Sequence, residues 1–304
     1  MIELTNECQL ACVTCPRDKK DAHDYDIGTM SFETFQQVFD GFGESVDTLD
    51  LTGLGESLTH PDIWRIIRWV RSRRDVHIYL TTNTILLTPR NIERLHADPV
   101  DTLCISIDGV TQEQFSAIRG PLQLGKLKRR VASAVGALRE RMDFILCTVL
   151  MSENLGSMVD FVELAAELHM RKLSLKPLNL VAHDLPLAYY DQFRTPRFQE
   201  LAEAARLRGS ELGVEVSVFS IGEYDCIFPW EMPYVTWDGF LVPCCAKPFP
   251  KRLHFGNVLE VGYETASNSA SAVEFRQALA APVGCPEFCS GCHVMSKTMD
   301  ASST

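Results

Sequence analysis

Short β-branched, largely apolar runs alternate with longer amphipathic stretches over the first two thirds of the chain. "IELT" (2–5), "TLDLT" (48–52), "VHIYLTT" (76–82), "TLCISID" (102–108), "DFILCTVLM" (143–151) and "KLSLKP" (172–177) read as strands. Helical patterns begin near Ser31, with Glu33 close behind, near Pro61 and near Pro89, and run over about 126–141 and 155–169. Six β–α units in succession predict a parallel sheet with crossover helices. Six is short of the eight that close a barrel, so the expected fold class is α/β, an open, partial (β/α)6 barrel. A helix over about 196–212 and a strand over 214–219 close this region, and the less regular segment 178–195 reads as a loop over the barrel mouth. From about 221 the texture changes to aromatics, Pro, Gly and Cys, with a hairpin pattern, "YVTWDGFLVP" (234–243), turning at Asp238-Gly239. The expected division is therefore 1–220, the partial barrel, and 221–304, a small metal-stapled domain ending in a disordered tail at 300–304.

Composition narrows the class. With 46% hydrophobic and 23% charged residues over 304 positions, the chain reads as a soluble globular protein. No apolar run is long enough to span a bilayer, and no secretory signal pattern opens the sequence, so no membrane partner and a cytoplasmic location are expected. A net charge of −11 argues against nucleic acid and fits either a solubilising surface or a cationic substrate. Eleven cysteines in a reducing compartment point to metal or catalytic thiols rather than disulfides.

"NECQLACVTCPR" carries Cys8, Cys12 and Cys15 as C-x3-C-x2-C directly after the first candidate strand. Three thiolates on one tight loop suit three irons of a [4Fe–4S] cube and leave the fourth iron open to a small molecule. The competing reading, a structural zinc, requires a fourth ligand and usually paired C-x2-C motifs. A loop at the C-terminal mouth of a β/α barrel also favours a catalytic role.

On these residues the chain resembles the radical S-adenosylmethionine (SAM) superfamily. The resemblance implies that SAM chelates the open iron, that an electron from the cluster cleaves it to methionine and a 5′-deoxyadenosyl radical, and that this radical abstracts a substrate hydrogen atom. It also implies a cofactor-binding set. Gly53, Gly55 and Glu56 in "LTGLGESLTHPD" correspond to the stretch that holds the SAM amino group, with Ser57 where proline is usual. Thr82 and Asn83 in "TTN" fall near the expected ribose site, and Ser106 and Asp108 in "SIDG" face the mouth. Arg119 in "AIRG" resembles a basic residue that contacts the SAM carboxylate. Taken alone, Asn83, Ser106 and Asp108 read as turn or cap residues; their shared position at strand ends reverses that preference.

In the C-terminal region, C-x12-G-x4-C (Cys226, Gly239, Cys244) resembles the opening of the SPASM/twitch extensions of that superfamily, and "CPEFCSGC" supplies Cys285, Cys289 and Cys292. Cys104 and Cys147 lie inside strands and are expected to pack as small hydrophobes. Six thiols remain, enough for one fully ligated auxiliary [4Fe–4S] cluster, and the expected ligands are Cys226, Cys244, Cys289 and Cys292 in a twitch domain, with a zinc ribbon as the alternative. Cys285 is a bystander or replaces Cys289. Cys245, beside Cys244, points the opposite way in extended backbone. It reads either as a passive neighbour or as a thiol that returns a hydrogen atom to a substrate radical.

The overall plan resembles the aminoglycoside-biosynthesis members of the superfamily, the neomycin C epimerases and 2-deoxy-scyllo-inosamine dehydrogenases. The leading expectation is thus an epimerase acting on an aminoglycoside or amino-sugar, with Cys245 catalytic, a cationic small-molecule substrate met by acids such as Asp184, Asp191, Glu223, Asp225 and Glu231, and a flavodoxin or ferredoxin as electron donor. Alternatives are a dehydrogenase that passes its electron to the auxiliary cluster, a peptide or protein maturase, and a non-enzymatic iron–sulfur or zinc scaffold. The SAM-site residues argue against the last.

Overall fold

The computed structural model describes residues 1–18, 26–222, 226–281 and 286–294. Six strands, β1 (Thr48–Asp50), β2 (His77–Thr82), β3 (Thr102–Ser106), β4 (Asp143–Leu150), β5 (Lys172–Pro177) and β6 (Glu215–Val218), form one all-parallel sheet in sequential order. Its crossovers are α1 (Phe32–Gly41), which precedes β1, then α2 (Ile63–Arg73), α3 (Pro89–Ala97), α4 (Gln112–Arg119), α5 (Leu124–Leu138), α6 (Met158–Glu167) and α7 (Pro196–Leu212). This is the open, partial barrel that the alternating pattern predicts. A second sheet, antiparallel, contains β7 (Tyr234–Val235), β8 (Phe240–Val242) and β9 (Gly256–Asn257), flanked by the short helices α8 (Phe228–Glu231), α9 (Val258–Val261), α10 (Tyr263–Ser267) and α11 (Ala270–Ala280). Gly239, with φ +91°, makes the hairpin turn between β7 and β8.

Local chemistry explains the boundaries. Ser31, Thr88, Thr111 and Thr195 each sit in extended backbone and accept, through the side chain, a hydrogen bond from the amide three residues on, capping α1, α3, α4 and α7. Pro89 and Pro196 occupy first-turn positions where no amide is needed. α4 was not anticipated from the pattern, because its eight residues, with Phe115 and Ile118 as the buried apolar positions, are too short to show a period.

The sheet has two unlike faces. Ile78, Leu80, Leu103, Ile105, Leu146, Leu173 and Leu175 are buried under the helices. On the other face Tyr79, Thr81, Ile145, Cys147, Val149 and Ser174 are only half-buried, which is the barrel interior open towards its mouth.

Two expectations need correction. Residues 2–5 are not the first strand of the sheet. They form a seam: the Ile2 amide donates to Asp50 O (2.9 Å) and the Glu3 amide to Val235 O (2.9 Å), so this segment joins the edge of the large sheet to the small one. The sixth strand is β6 instead, and a seam and a strand share the same alternating pattern. Cys104 and Cys147 do not pack as separate thiols. Register sets Ser106 beside Cys147 and Cys104 beside Ile145, so the two cysteines are diagonal neighbours on one face, 6.1 Å apart at Cα and joined as a disulfide. Among the described residues no helix is long and apolar enough to cross a membrane.

Candidate active site

The loop bearing Cys8, Cys12 and Cys15 leaves the seam and crosses the mouth of the sheet. Asn6 fixes its start, donating to Asp26 O (2.8 Å) and accepting from the Gly28 amide (2.8 Å). Arg17 gathers its two limbs by donating to Cys8 O (3.0 Å) and Leu10 O (2.6 Å), and the Val13 amide ties it to Ile118 O at the end of α4 (2.9 Å). All three cysteines are half-buried. Burial pushes the Cys12 thiol up, with Arg119 opposing, and drives Cys15 up to about 11. Cys12 interacts electrostatically with Cys8, and Cys15 with both, although among the described residues no three such side chains stand close enough to hold a single metal ion. Such thiols ionise when a cation arrives to bind them. A donor set of three adjoining thiols on one loop fits an iron–sulfur cube with one iron left open.

The expected SAM-binding residues fall into two networks beside that loop. Asn83 Nδ2 lies 3.4 Å from Cys8 Sγ and 3.2 Å from Gln9 Oε1. Its amide donates to Glu56 Oε2 (2.7 Å), while Thr82 Oγ1 (2.9 Å) and the Leu58 amide (3.4 Å) donate to Glu56 Oε1. Glu56 is 2% exposed, and burial raises its carboxyl to about 7 against these three donors. Its carboxylate therefore holds the end of β2 to the 53–58 loop. Gly55 is needed by packing: a Cβ there would stand 2.4 Å from Thr5 O and 2.5 Å from Glu7 O. Gly53 packs on the Glu3 side chain in the same manner.

In the second network Arg119 Nε pairs with Asp108 Oδ2 at 2.6 Å, both side chains being buried, and Asp108 Oδ1 accepts from the Val149 amide (2.8 Å). The guanidinium faces Cys12 and Cys15 electrostatically. Ser106, the last residue of β3, is half-buried.

Cys226, Cys244, Cys289 and Cys292 line one small pocket together with Val181, Pro229, Pro243, Ala246, Lys247, Phe275, Leu279 and Phe288. The Ala246 amide lies 3.3 Å from Cys244 Sγ and Asn179 Nδ2 3.9 Å from Cys292 Sγ. Burial pushes Cys226 up to about 11; Cys244 is raised further, first by its hydrogen bond with Cys245 and then by burial. Four thiols spaced around an apolar cavity suit a fully ligated cube. Cys245 does not line it. Its side chain hydrogen-bonds that of Cys244 instead of pointing away as extended backbone would have it, and it lies within electrostatic reach of Tyr234 and of the Met1 nitrogen. Cys285, Glu223 and Asp225 lie outside the described residues; Asp184, Asp191 and Glu231 are exposed.

Three residues escape the sequence reading. Glu3, in the seam, accepts from the Leu54 amide (3.0 Å), Tyr234 OH (2.9 Å) and the Trp237 amide (3.4 Å). Tyr190 OH, in the irregular 178–195 segment, donates to Gly291 O (2.7 Å) and accepts from the Leu180 amide (2.8 Å), tying that segment to the last C-x2-C. Thr84, directly after Asn83, is fully buried at φ +73°, with a hydroxyl that has no hydrogen-bond partner. The acid among apolar neighbours in "IELT" was the only available hint of the first; nothing marks the other two.

Comparison with known proteins agrees with this geometry. Residues 2–165 match the radical SAM superfamily, and residues 226–293 match SPASM, an iron–sulfur cluster-binding domain. The chain is 30% identical over 166 residues to an AdoMet-dependent heme synthase of Methanosarcina barkeri, covering 55% of this chain and 46% of that protein. It is 26% identical over 287 residues to a PqqA peptide cyclase of Ruegeria pomeroyi, covering 89% and 75%. The chain spans about half the length of several curated relatives that it matches. The structure of Streptococcus suis SuiB bound to precursor peptide SuiA superposes with a TM-score of 0.73 at 13% identity, covering 97% of this chain and 69% of SuiB, a likeness of fold.

Proposed function

The chain belongs to the radical SAM superfamily, and from that premise we propose that it modifies a peptide or protein by abstracting a hydrogen atom from a substrate carbon. It binds SAM and a [4Fe–4S] cluster and carries an auxiliary iron–sulfur domain. When bound, these groups supply the electron and the 5′-deoxyadenosyl radical that removes the hydrogen. The chain's own residues do the rest. Cys8, Cys12 and Cys15 would hold the first cluster, with Asn83 donating to the Cys8 sulfur and tuning it. Glu56 and Glu3 hold the 53–58 loop in place, and the Asp108–Arg119 pair sets a buried charge beside Cys12 and Cys15. Cys226, Cys244, Cys289 and Cys292 would hold the auxiliary cluster, in the domain from 221 onwards, and a flavodoxin- or ferredoxin-like carrier would reduce the protein.

One observation carries the peptide reading. The match that runs across 89% of the chain, and so into the region of the second cysteine set, is to an enzyme named for a peptide substrate. A smaller cationic substrate, the amino-sugar, draws support from the net charge of −11 and the exposed Asp184, Asp191 and Glu231. On the outcome of the reaction, Cys245 stands beside Cys244 without lining the cluster pocket, and hydrogen return from its thiol, with inversion of the carbon, is the reading put to the test.

Product mass spectrometry in D2O tests both points. The anaerobically reduced protein is given SAM with a peptide panel and, separately, with aminoglycosides. Turnover of a peptide is expected; turnover of aminoglycosides alone overturns the substrate class. A product of unchanged formula carrying one deuterium, lost in Cys245→Ala, supports hydrogen return. A product lighter by two hydrogens rules it out.

A further inference from the structure

Glu3 is buried, with 1% of its surface exposed, and its three hydrogen-bond donors come from two parts of the molecule. The Leu54 amide belongs to the 53–58 loop of the large sheet; Tyr234 OH and the Trp237 amide belong to the β7–β8 hairpin of the small one. The contact with Tyr234 spans 231 positions of sequence. Gly53 leaves room for it, since a Cβ there would sit 2.6 Å from Glu3 Cγ. The backbone reinforces the junction: the Glu3 amide donates to Val235 O, and Ile2 to Asp50 O at the end of β1. Glu56 anchors the other end of the loop to β2, so the segment presented beside Cys8 is clamped at both ends by a buried carboxylate, one belonging to the barrel and one shared with the hairpin.

We propose that Glu3 is a positioning residue that couples SAM binding to the C-terminal sheet, holding the 53–58 loop in its binding geometry only while Tyr234 and Trp237 are docked on its carboxylate. The inference rests on the reading of that loop as part of the SAM site. It means that a hairpin residue that forms no part of the loop adjusts the affinity for SAM, and that SAM in turn favours the docked hairpin. The β7–β8 hairpin leads directly to Cys244 and Cys245, so the same side chain links the first cofactor to the strand that presents the second cysteine set.

Burial raises the Glu3 carboxyl to about 7 against its three donors, so its protonation state changes near neutral pH and the donors meet a different partner on either side of it. The charged and titratable groups around Glu3 are Tyr234, Asp238 and, lining the same cleft, Asp26, Lys251 and His254; Glu56 titrates in the same range and holds the same loop.

The test uses the anaerobically reconstituted protein in four forms: wild type, Glu3→Gln, Tyr234→Phe and Gly55→Ala. Two readouts are taken: the dissociation constant for SAM, and hydrogen exchange of the amides of 51–58 before SAM is added. Glu3→Gln is expected to weaken SAM binding about ten-fold and Tyr234→Phe about three-fold, each losing one or more hydrogen bonds to a charged group. Both are expected to speed exchange at Leu54, with iron content unchanged. The pH profile of SAM affinity between 6 and 8 keeps, in Glu3→Gln, only the part that belongs to Glu56. Unchanged affinity and exchange in both Glu3→Gln and Tyr234→Phe would overturn the proposal. Gly55→Ala separates the two levels: it disturbs the loop directly, so if it leaves SAM affinity intact the loop reading itself fails. If only Gly55→Ala weakens SAM, the loop stands and the coupling through Glu3 is wrong. Tyr234→Phe removes a single hydroxyl and keeps the ring, which answers the question even if Glu3→Gln does not fold.

Discussion

The two cysteine sets of this chain differ in their surroundings, and only the second includes buried thiols, Cys289 and Cys292. The first lies on a loop held by side-chain donors to its carbonyls, with Asn83 on one sulfur and an Asp108–Arg119 ion pair close by, and its thiols are half-exposed. The second surrounds a pocket lined mostly by aliphatic and aromatic side chains with Lys247, where backbone amides such as that of Ala246 reach the sulfurs. A site that must admit a small molecule needs an open face and fixed polar groups; a site that only stores or passes electrons is better closed and dry. The sequence separation follows the same logic. The first set spans eight residues, because one loop presents an open face, whereas the second is drawn from Cys226 to Cys292, because enclosure takes several elements.

Removing a thiol from each set should therefore have unequal consequences. Cys12→Ala is expected to abolish 5′-deoxyadenosine formation and to remove about half of the bound iron, since a cube held by three thiolates does not survive on two. Cys292→Ala is expected to lose a similar share of iron while still forming 5′-deoxyadenosine, with little or no modified product. Iron analysis and chromatography of the nucleoside decide it. If Cys292→Ala also stops nucleoside formation, the two sites are not separable in function and the contrast fails.

Much of this contrast was legible in the sequence, for reasons that particular residues make plain. Cys8, Cys12 and Cys15 are contiguous, so their spacing alone places them on one loop. The parallel sheet followed from the alternation of β-branched runs and amphipathic stretches. What stayed hidden depends on register and on partners remote in sequence. The pairing of Cys104 with Cys147 is visible only once β3 and β4 are aligned. Glu3 reads as an ordinary polar position in a strand until Tyr234 and Trp237 arrive from the far end of the chain. Arg119 and Asp108 were each singled out, but as separate contacts rather than as a buried pair. Residues 2–5 alternate as a strand does, yet the physics of alternation is the same for a seam between two sheets.

That buried pair is the next way to sharpen the comparison. Asp108→Asn leaves the Arg119 guanidinium buried without its counter-charge, and is expected to cost about 3 kcal/mol, read from urea midpoints of reconstituted wild type and variant. No single polar substitution around the second cavity should cost as much. The two clamping carboxylates carry a pH signature of their own. Glu3 and Glu56 have their carboxyls raised by burial from 4.5 to about 7, so the folded chain holds these protons more tightly than the unfolded one. Their contribution is fully present below about 4.5 and is lost as pH rises through about 7, with a slope of at most about 1.4 kcal/mol per pH unit for each group. Urea titrations between pH 5 and 8 should show this fall, and Glu56→Gln should halve its slope. A flat profile in wild type would mean that both carboxylates are ionised throughout.

The smallest expected effect concerns Thr84, which follows Asn83 at the first site. A β-branched residue at φ +73° is strained by about 1–3 kcal/mol, and its buried hydroxyl, without a partner, adds a desolvation cost of similar size. Thr84→Gly relieves both. Against that stand the extra backbone freedom of glycine in the unfolded chain, roughly 0.5–1 kcal/mol, and the loss of one buried methyl group, about 0.8 kcal/mol. At the lower end of these ranges the net expectation is a gain of about 1 kcal/mol in urea stability. Thr84 also turns the chain immediately after Asn83, whose side chain reaches Cys8. A protein that keeps a strained, unsatisfied threonine there trades stability for the placement of that amide, so Thr84→Gly should raise stability and weaken SAM binding together. A variant that gains stability with SAM affinity unchanged would show that the strain at the first site has no part in holding its geometry, and the two cysteine sets would then differ in polarity alone.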